Sequence, residues 1–144
     1  MAASKKVEIF IDGAARGNPG PAGLGVVIKD ADKKTIKEFY KYIGNATNNI
    51  AEYNALVYGL QEAHMLGAEE VKLNLDSELV AQQLRGEFRV RDLKIKSLFD
   101  QAIHLINGFK SFEVKHIRRE ENKEADKLAN KAINLADLKG PLAS

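Results

Sequence analysis

The chain contains no cysteine, which excludes disulfides, cysteine-ligated zinc sites and a thiol nucleophile. That composition suits a reducing compartment. The three histidines form no cluster in the sequence. No apolar stretch reaches the roughly 20 residues a bilayer-crossing helix needs. The N-terminal MAASKK leads into an alternating pattern rather than the continuous apolar segment of a signal peptide. The expectation is a cytoplasmic protein without membrane contact. Neither charge sign dominates: 22 Lys and Arg stand against 20 Asp and Glu, a net charge of +2. With 44% hydrophobic and 29% charged residues, the 144 residues suit one globular domain, with a core over about 5–136 and a loose tail, DLKGPLAS, over 137–144. No repeat, linker or low-complexity block interrupts it.

Periodicity divides the chain into strands and helices. In KVEIFIDG, Val7, Ile9 and Ile11 alternate with Glu8, Phe10 and Asp12, which predicts a strand. GAARGNPGPAGLG, residues 13–25, holds five glycines and two prolines and reads as a loop. LGVVIKD and KTIKEFYKYI follow as two further strands whose short connections favour antiparallel pairing. From residue 48 the period becomes helical (Ile50, Tyr53, Leu56, Val57, Leu60, His64), with Thr47 or Asn48 available as a cap and Gly67 as a stop. VKLNLD is a fourth strand, reached by a crossover that makes it parallel to the first. SELVAQQLRG, capped by Ser77, and RDLKIKSLFDQAIHLING are helices. The second presents Leu93, Ile95, Leu98, Phe99, Ala102, Ile103 and Ile106 as its apolar face. SFEVKHI is a fifth strand and ENKEADKLANKAINLA a closing helix.

Against this frame four acids stand out: Asp12, Glu52, Asp76 and Asp126. Asp12 and Asp76 each occupy the last position of a strand. If those strands are parallel neighbours, both carboxylates lie at the carboxyl edge of the sheet, about 5 Å apart, where they repel unless a cation intervenes. Glu52 and Asp126 each lie early in a helix. Oxygen-only acids suit Mg²⁺, and two such ions roughly 3.5–4 Å apart can activate water and stabilise the leaving oxygen of a phosphodiester. Taken singly, each acid is also readable as a surface charge, and Asp76 as a helix cap; the joint pattern argues for metal. With four acids neutralised, 22 basic side chains against the remaining acids leave +6, a balance suited to a polyanion.

FIDGAARGNPGPAGLGVVI, TNNIAEYNAL, LNLDSELV and REENKEADKLAN, in this order, resemble the type 1 ribonuclease H family over about Val7 to Ala132. The resemblance implies an α/β fold with a mixed five-stranded sheet of order 3-2-1-4-5 and helices on both faces. It implies endonucleolytic hydrolysis of the RNA strand of an RNA–DNA hybrid by a pair of Mg²⁺ ions, or Mn²⁺ in their place, giving 3′-hydroxyl and 5′-phosphate ends. Asp12, Glu52, Asp76 and Asp126 match the metal-binding acids. Gly13 and the loop to Gly20 would approach the nucleic-acid backbone. Asn18, Asn48 and Asn49 match minor-groove positions, and Thr47 one near a DNA-strand phosphate. The partner is then the hybrid, and the protein a monomer. The alternative is a catalytically weak hybrid-binding module, against which the intact acid set argues. A related metal nuclease or an ATP-handling protein of similar strand arrangement is the other rival.

Two departures are visible. The mobile Gly- and His-containing loop of many members is replaced by the short HIRREENKEAD, where Arg119 is the candidate catalytic helper and His116 the other. A basic protrusion is missing. Only GEFRVRDLK lies there, and Arg85, Arg89, Arg91, Lys94 and Lys96 are candidate phosphate contacts or simply a solvated face. His64 and His104 read as structural or surface residues.

Overall fold

The computed structural model describes residues 5–139. Three strands, β1 (Lys6–Ala15), β2 (Gly20–Asp30) and β3 (Thr35–Ala46), precede helix α1 (Asn48–Met65). Then come β4 (Glu70–Leu75), α2 (Glu78–Leu84), α3 (Leu93–Ile106), β5 (Ser111–His116), a 3-10 turn (Arg119–Glu121) and α4 (Lys123–Lys139). The sheet order is β3-β2-β1-β4-β5. β1 pairs antiparallel with β2 and parallel with β4, and β4 parallel with β5, so the sheet is mixed, as the resemblance implies.

Register divides the two faces. Ile9 and Ile11 lie opposite Ile28 and Val26 on one side and Leu73 and Leu75 on the other. All six are fully buried. They form the face under α1, where a Cβ on Gly59 would crowd Ile9 and Ile11, each at 3.2 Å. Gly23 and Gly25, facing the other way, lie against α4. Among the described residues no helix is long and apolar enough to cross a membrane.

Three sequence expectations are corrected. The Gly-rich segment is mostly strand: β1 runs to Ala15 and β2 starts at Gly20, with Ala15 opposite Ala22, leaving Arg16–Pro19 outside the strands. Its glycines serve close approach as much as turning. A Cβ on Gly25 would meet the Ala125 carbonyl and lie 2.8 Å from the Ala129 nitrogen; one on Gly13 would meet the Ala51–Glu52 peptide. Second, Leu93 is 86% exposed, because Asp92 caps α3 and places the helix's first residue outside the packed face; Ile95 and Ala102 are its buried residues. Third, α4 continues through Lys139, so 137–139 are helical, while 140–144 lie outside the described residues.

Gly25→Ala is expected to lower stability by about 3 kcal/mol, the upper end of the overpacking range, because α4 backbone rather than a flexible side chain must move. Urea denaturation checks this, and an unchanged midpoint would remove the close-packing account.

Candidate active site

The four acids arrive from four elements. Asp12 lies on β1 opposite Gly25 of β2, and Asp76 directly follows β4, the parallel neighbour of β1. Thr47 caps α1 by accepting the Ile50 N–H at 3.2 Å, which places Glu52 in the second turn. Asp126 is in the first turn of α4. Asp12, Glu52 and Asp76 each offer a carboxylate oxygen within 4.8 Å of the others. Asp126 adjoins Asp12 closely enough for a carboxyl–carboxylate hydrogen bond.

These acids are crowded and largely dry. Asp12 is 5% and Glu52 4% exposed. Burial, then the Asp76 charge and the Asp126 carboxyl, push Asp12 up to about 8, opposed by the nearby Arg119 guanidinium. Glu52 is raised well above the usual range, first by burial and then by Asp12 and Asp76, while the Gly13 N–H that it accepts pulls the other way. Glu52 Oε1 is buried with no hydrogen-bond partner among the described residues. An unpaired buried carboxylate oxygen, converging acids and an all-oxygen donor set fit a hard divalent cation.

At the start of α1, in the turn preceding Glu52, lies a concavity of about 480 Å³ lined by Asn18, Thr47, Asn48, Asn49, Ile50, Asp92 and Ile95. It gathers four of the five sequence-selected substrate residues. Asn18 Oδ1 accepts the Asn48 N–H at 3.0 Å, and Asn48 Oδ1 accepts the Ala15 N–H at 2.9 Å. The two side chains thereby pin the β1–β2 loop to the start of α1. Gly13 sits beneath α1 rather than in this lining. Another concavity, about 560 Å³, lies at the opposite end of the sheet among Lys6, Glu8, Asp30, Glu70 and Lys72, with interleaved charges and no converging acids.

Arg119 lies in the 3-10 turn near Asp12. His116 ends β5 with Nε2 3.3 Å from the Asp76 carbonyl oxygen, while His64 is a packing residue, stacked on Phe109 at 3.9 Å and hydrogen-bonded to the Leu105 carbonyl at 2.7 Å. Two asparagines of the REENKEADKLAN segment were given no role by the sequence reading. Asn122 donates to Asp76 Oδ2 at 2.9 Å, and Asn130 donates to the Asp126 carbonyl at 3.0 Å. Their signal was spacing, four residues before and after Asp126.

A family model described as reverse transcriptase-like matches residues 10–132. The ribonuclease H of Photorhabdus laumondii is 33% identical over 146 residues, covering 90% of each chain. The chain belongs to the type 1 ribonuclease H family. The bifunctional protein Rv2228c of Mycobacterium tuberculosis is 43% identical over 91% of this chain, which spans only 36% of that protein's length. Ribonuclease HI of Halobacterium salinarum is 40% identical over 90% of this chain and 65% of its own. Among solved structures, the N-terminal RNase H domain of Rv2228c superposes with a TM-score of 0.91 at 42% identity, covering 94% of this chain and 99% of that one. LC11-RNase H1, solved in complex with an RNA/DNA hybrid, gives 0.86 at 41% identity over 90% and 98%.

Because burial favours protonated Asp12, the folded chain holds a proton that the unfolded chain releases between its ordinary 3.8 and about 8. Without cations, stability contributed by this group therefore falls as pH rises through that window. The melting temperature of EDTA-treated protein is expected to decline toward pH ~8, with a shallower decline in Asp12→Asn. Identical slopes in the two proteins would contradict the burial account.

Proposed function

We propose that this chain is a metal-dependent endoribonuclease that hydrolyses the RNA strand of RNA–DNA hybrids, leaving 3′-hydroxyl and 5′-phosphate ends. The observation that carries the reading is the convergence of Asp12, Glu52 and Asp76, with Asp126 against Asp12, together with the asparagine-lined concavity at the start of α1. LC11-RNase H1, similar over nearly its whole length, was solved with such a hybrid.

Asp12, Glu52, Asp76 and Asp126 would hold two divalent cations, Mg²⁺ with Mn²⁺ as substitute. When bound, the pair supplies the charge that activates a water and stabilises the leaving 3′ oxygen. The chain's own contributions are positional and electrostatic. The nearby Gly13 N–H favours the ionised form of Glu52 without neutralising it. Burial of Asp12 and Glu52 keeps bulk water from competing for their oxygens. The Asn18–Asn48–Ala15 hydrogen bonds preform the rim on which Asn18, Thr47, Asn48 and Asn49 meet the hybrid backbone and minor groove, with ribose 2′-hydroxyls separating RNA from DNA. Arg119 brings a positive charge near Asp12, where the scissile phosphate would lie. A purely hybrid-binding module gives no reason for buried carboxylates that raise one another's proton affinity.

Cleavage of a labelled RNA–DNA hybrid tests this. Asp12→Asn is expected to lower kcat by about 10²–10³-fold, the range for losing one electrostatic stabiliser of a transition state. EDTA should abolish cleavage and Mg²⁺ or Mn²⁺ restore it, with duplex DNA left intact. Equal rates for the native and Asp12→Asn proteins would defeat the mechanism.

A further inference from the structure

Asn122 stands at a junction that the proposed chemistry does not use. It lies between the 3-10 turn and α4 and is 1% exposed. Its Nδ2 donates to the Ile11 carbonyl at 2.8 Å and to Asp76 Oδ2 at 2.9 Å. Its backbone carbonyl accepts the Asp126 N–H at 3.1 Å, and its backbone N–H donates to the Arg119 carbonyl at 3.0 Å. One buried residue thus touches the peptide joined to Asp12, the carboxylate of Asp76, the backbone of Asp126 and the turn bearing Arg119.

The chemistry of the amide matters. Both acceptors face Nδ2, so flipping the amide would set oxygen against two oxygens. Oδ1, meanwhile, has no hydrogen-bond partner among the described residues. An unmade bond at a buried oxygen costs stability, so stability alone gives no reason for an amide here. A neutral N–H donor does what neither an apolar residue nor a lysine could. It fixes the rotation of the Asp76 carboxylate while leaving its negative charge available to a cation. A lysine would compete with that cation.

We infer that Asn122 is a positioning residue: it ties the Asp76 carboxylate to the Ile11–Asp12 peptide of β1, so that the cation site is preformed before cation or hybrid arrives. This rests on the metal-binding reading above. It predicts an effect on cation affinity that space-filling does not reproduce.

The test uses the full chain without hybrid: calorimetric titration of Mg²⁺ and Mn²⁺ into the native protein, Asn122→Ala, the near-isosteric Asn122→Leu, Asp76→Asn and the Asn122→Leu/Asp76→Asn pair. Circular dichroism confirms folding at the assay temperature. Both Asn122 variants are expected to bind cations about 10- to 100-fold more weakly, the range for losing an outer partner of a metal ligand. The paired variant should bind no more weakly than Asp76→Asn alone, since Asn122 acts through that carboxylate. At saturating cation, kcat should fall while KM for hybrid stays within about twofold. Native affinity in Asn122→Leu, additive losses in the pair, or failure of both Asn122 variants to fold would overturn the inference and leave the nuclease reading standing. A native chain that binds neither cation would sink both.

Discussion

Like charges forced together at the carboxyl edge of a sheet are the constraint around which this molecule is built. Asp12 and Asp76 come from parallel neighbouring strands, and Glu52 and Asp126 from helices on opposite faces. Burial and mutual repulsion make the ionised state of the metal-free site unfavourable. The fold holds it through hydrogen bonds from neutral donors, the Gly13 N–H and the Asn122 amide, rather than through neutralising lysines. Such an arrangement is costly by itself and becomes favourable when positive charge enters. The surrounding structure must therefore be rigid enough to keep the acids together.

That rigidity comes from close approach. Glycines on β1 and β2 face α1 and α4 where a methyl group would collide with helix backbone. The helices consequently sit tightly on the sheet, and side chains one or two turns into each reach the strand ends. Gly13 serves twice, admitting α1 and donating its N–H to Glu52. Capping then fixes the axial position of three of the four helices: Thr47 for α1, Ser77 for α2 and Asp92 for α3. An acid displaced along its helix by one residue would swing about 100° away from the site.

The same construction ties the proposed substrate rim to the acids. Asn18 and Asn48 spend their side-chain oxygens on backbone N–H groups, joining the short β1–β2 loop to α1 just before Glu52. Arg16 reaches across to Asp137 on α4, an exposed pair that contributes little energy but gives the loop a second attachment. The short segment before Asp126 folds as a 3-10 turn that carries Arg119 toward Asp12. A compact turn of one arginine and two glutamates thus leads directly into α4 and Asp126.

Period-two alternation in KVEIFIDG and VKLNLD, with a helical stretch between, was enough to place Asp12 and Asp76 side by side, because strand direction and side-chain facing are local properties. The strand order and the early-helix positions of Glu52 and Asp126 were legible for the same reason, aided by family resemblance. The role of the Gly-rich run was not. Glycine permits both a turn and a close contact, and only the helix packed against it distinguishes them. Leu93 read as apolar face because periodicity ignores where a capped helix meets its neighbours. Asn122 was invisible as a partner because its acceptor on β1 lies 111 residues away. The amino-acid sequence by itself determined most of the elements, their order along the chain and the choice of four candidate acids. Tertiary structure alone decided which oxygens meet, how dry they are and what orients them, since these depend on groups from distant segments sharing one small volume.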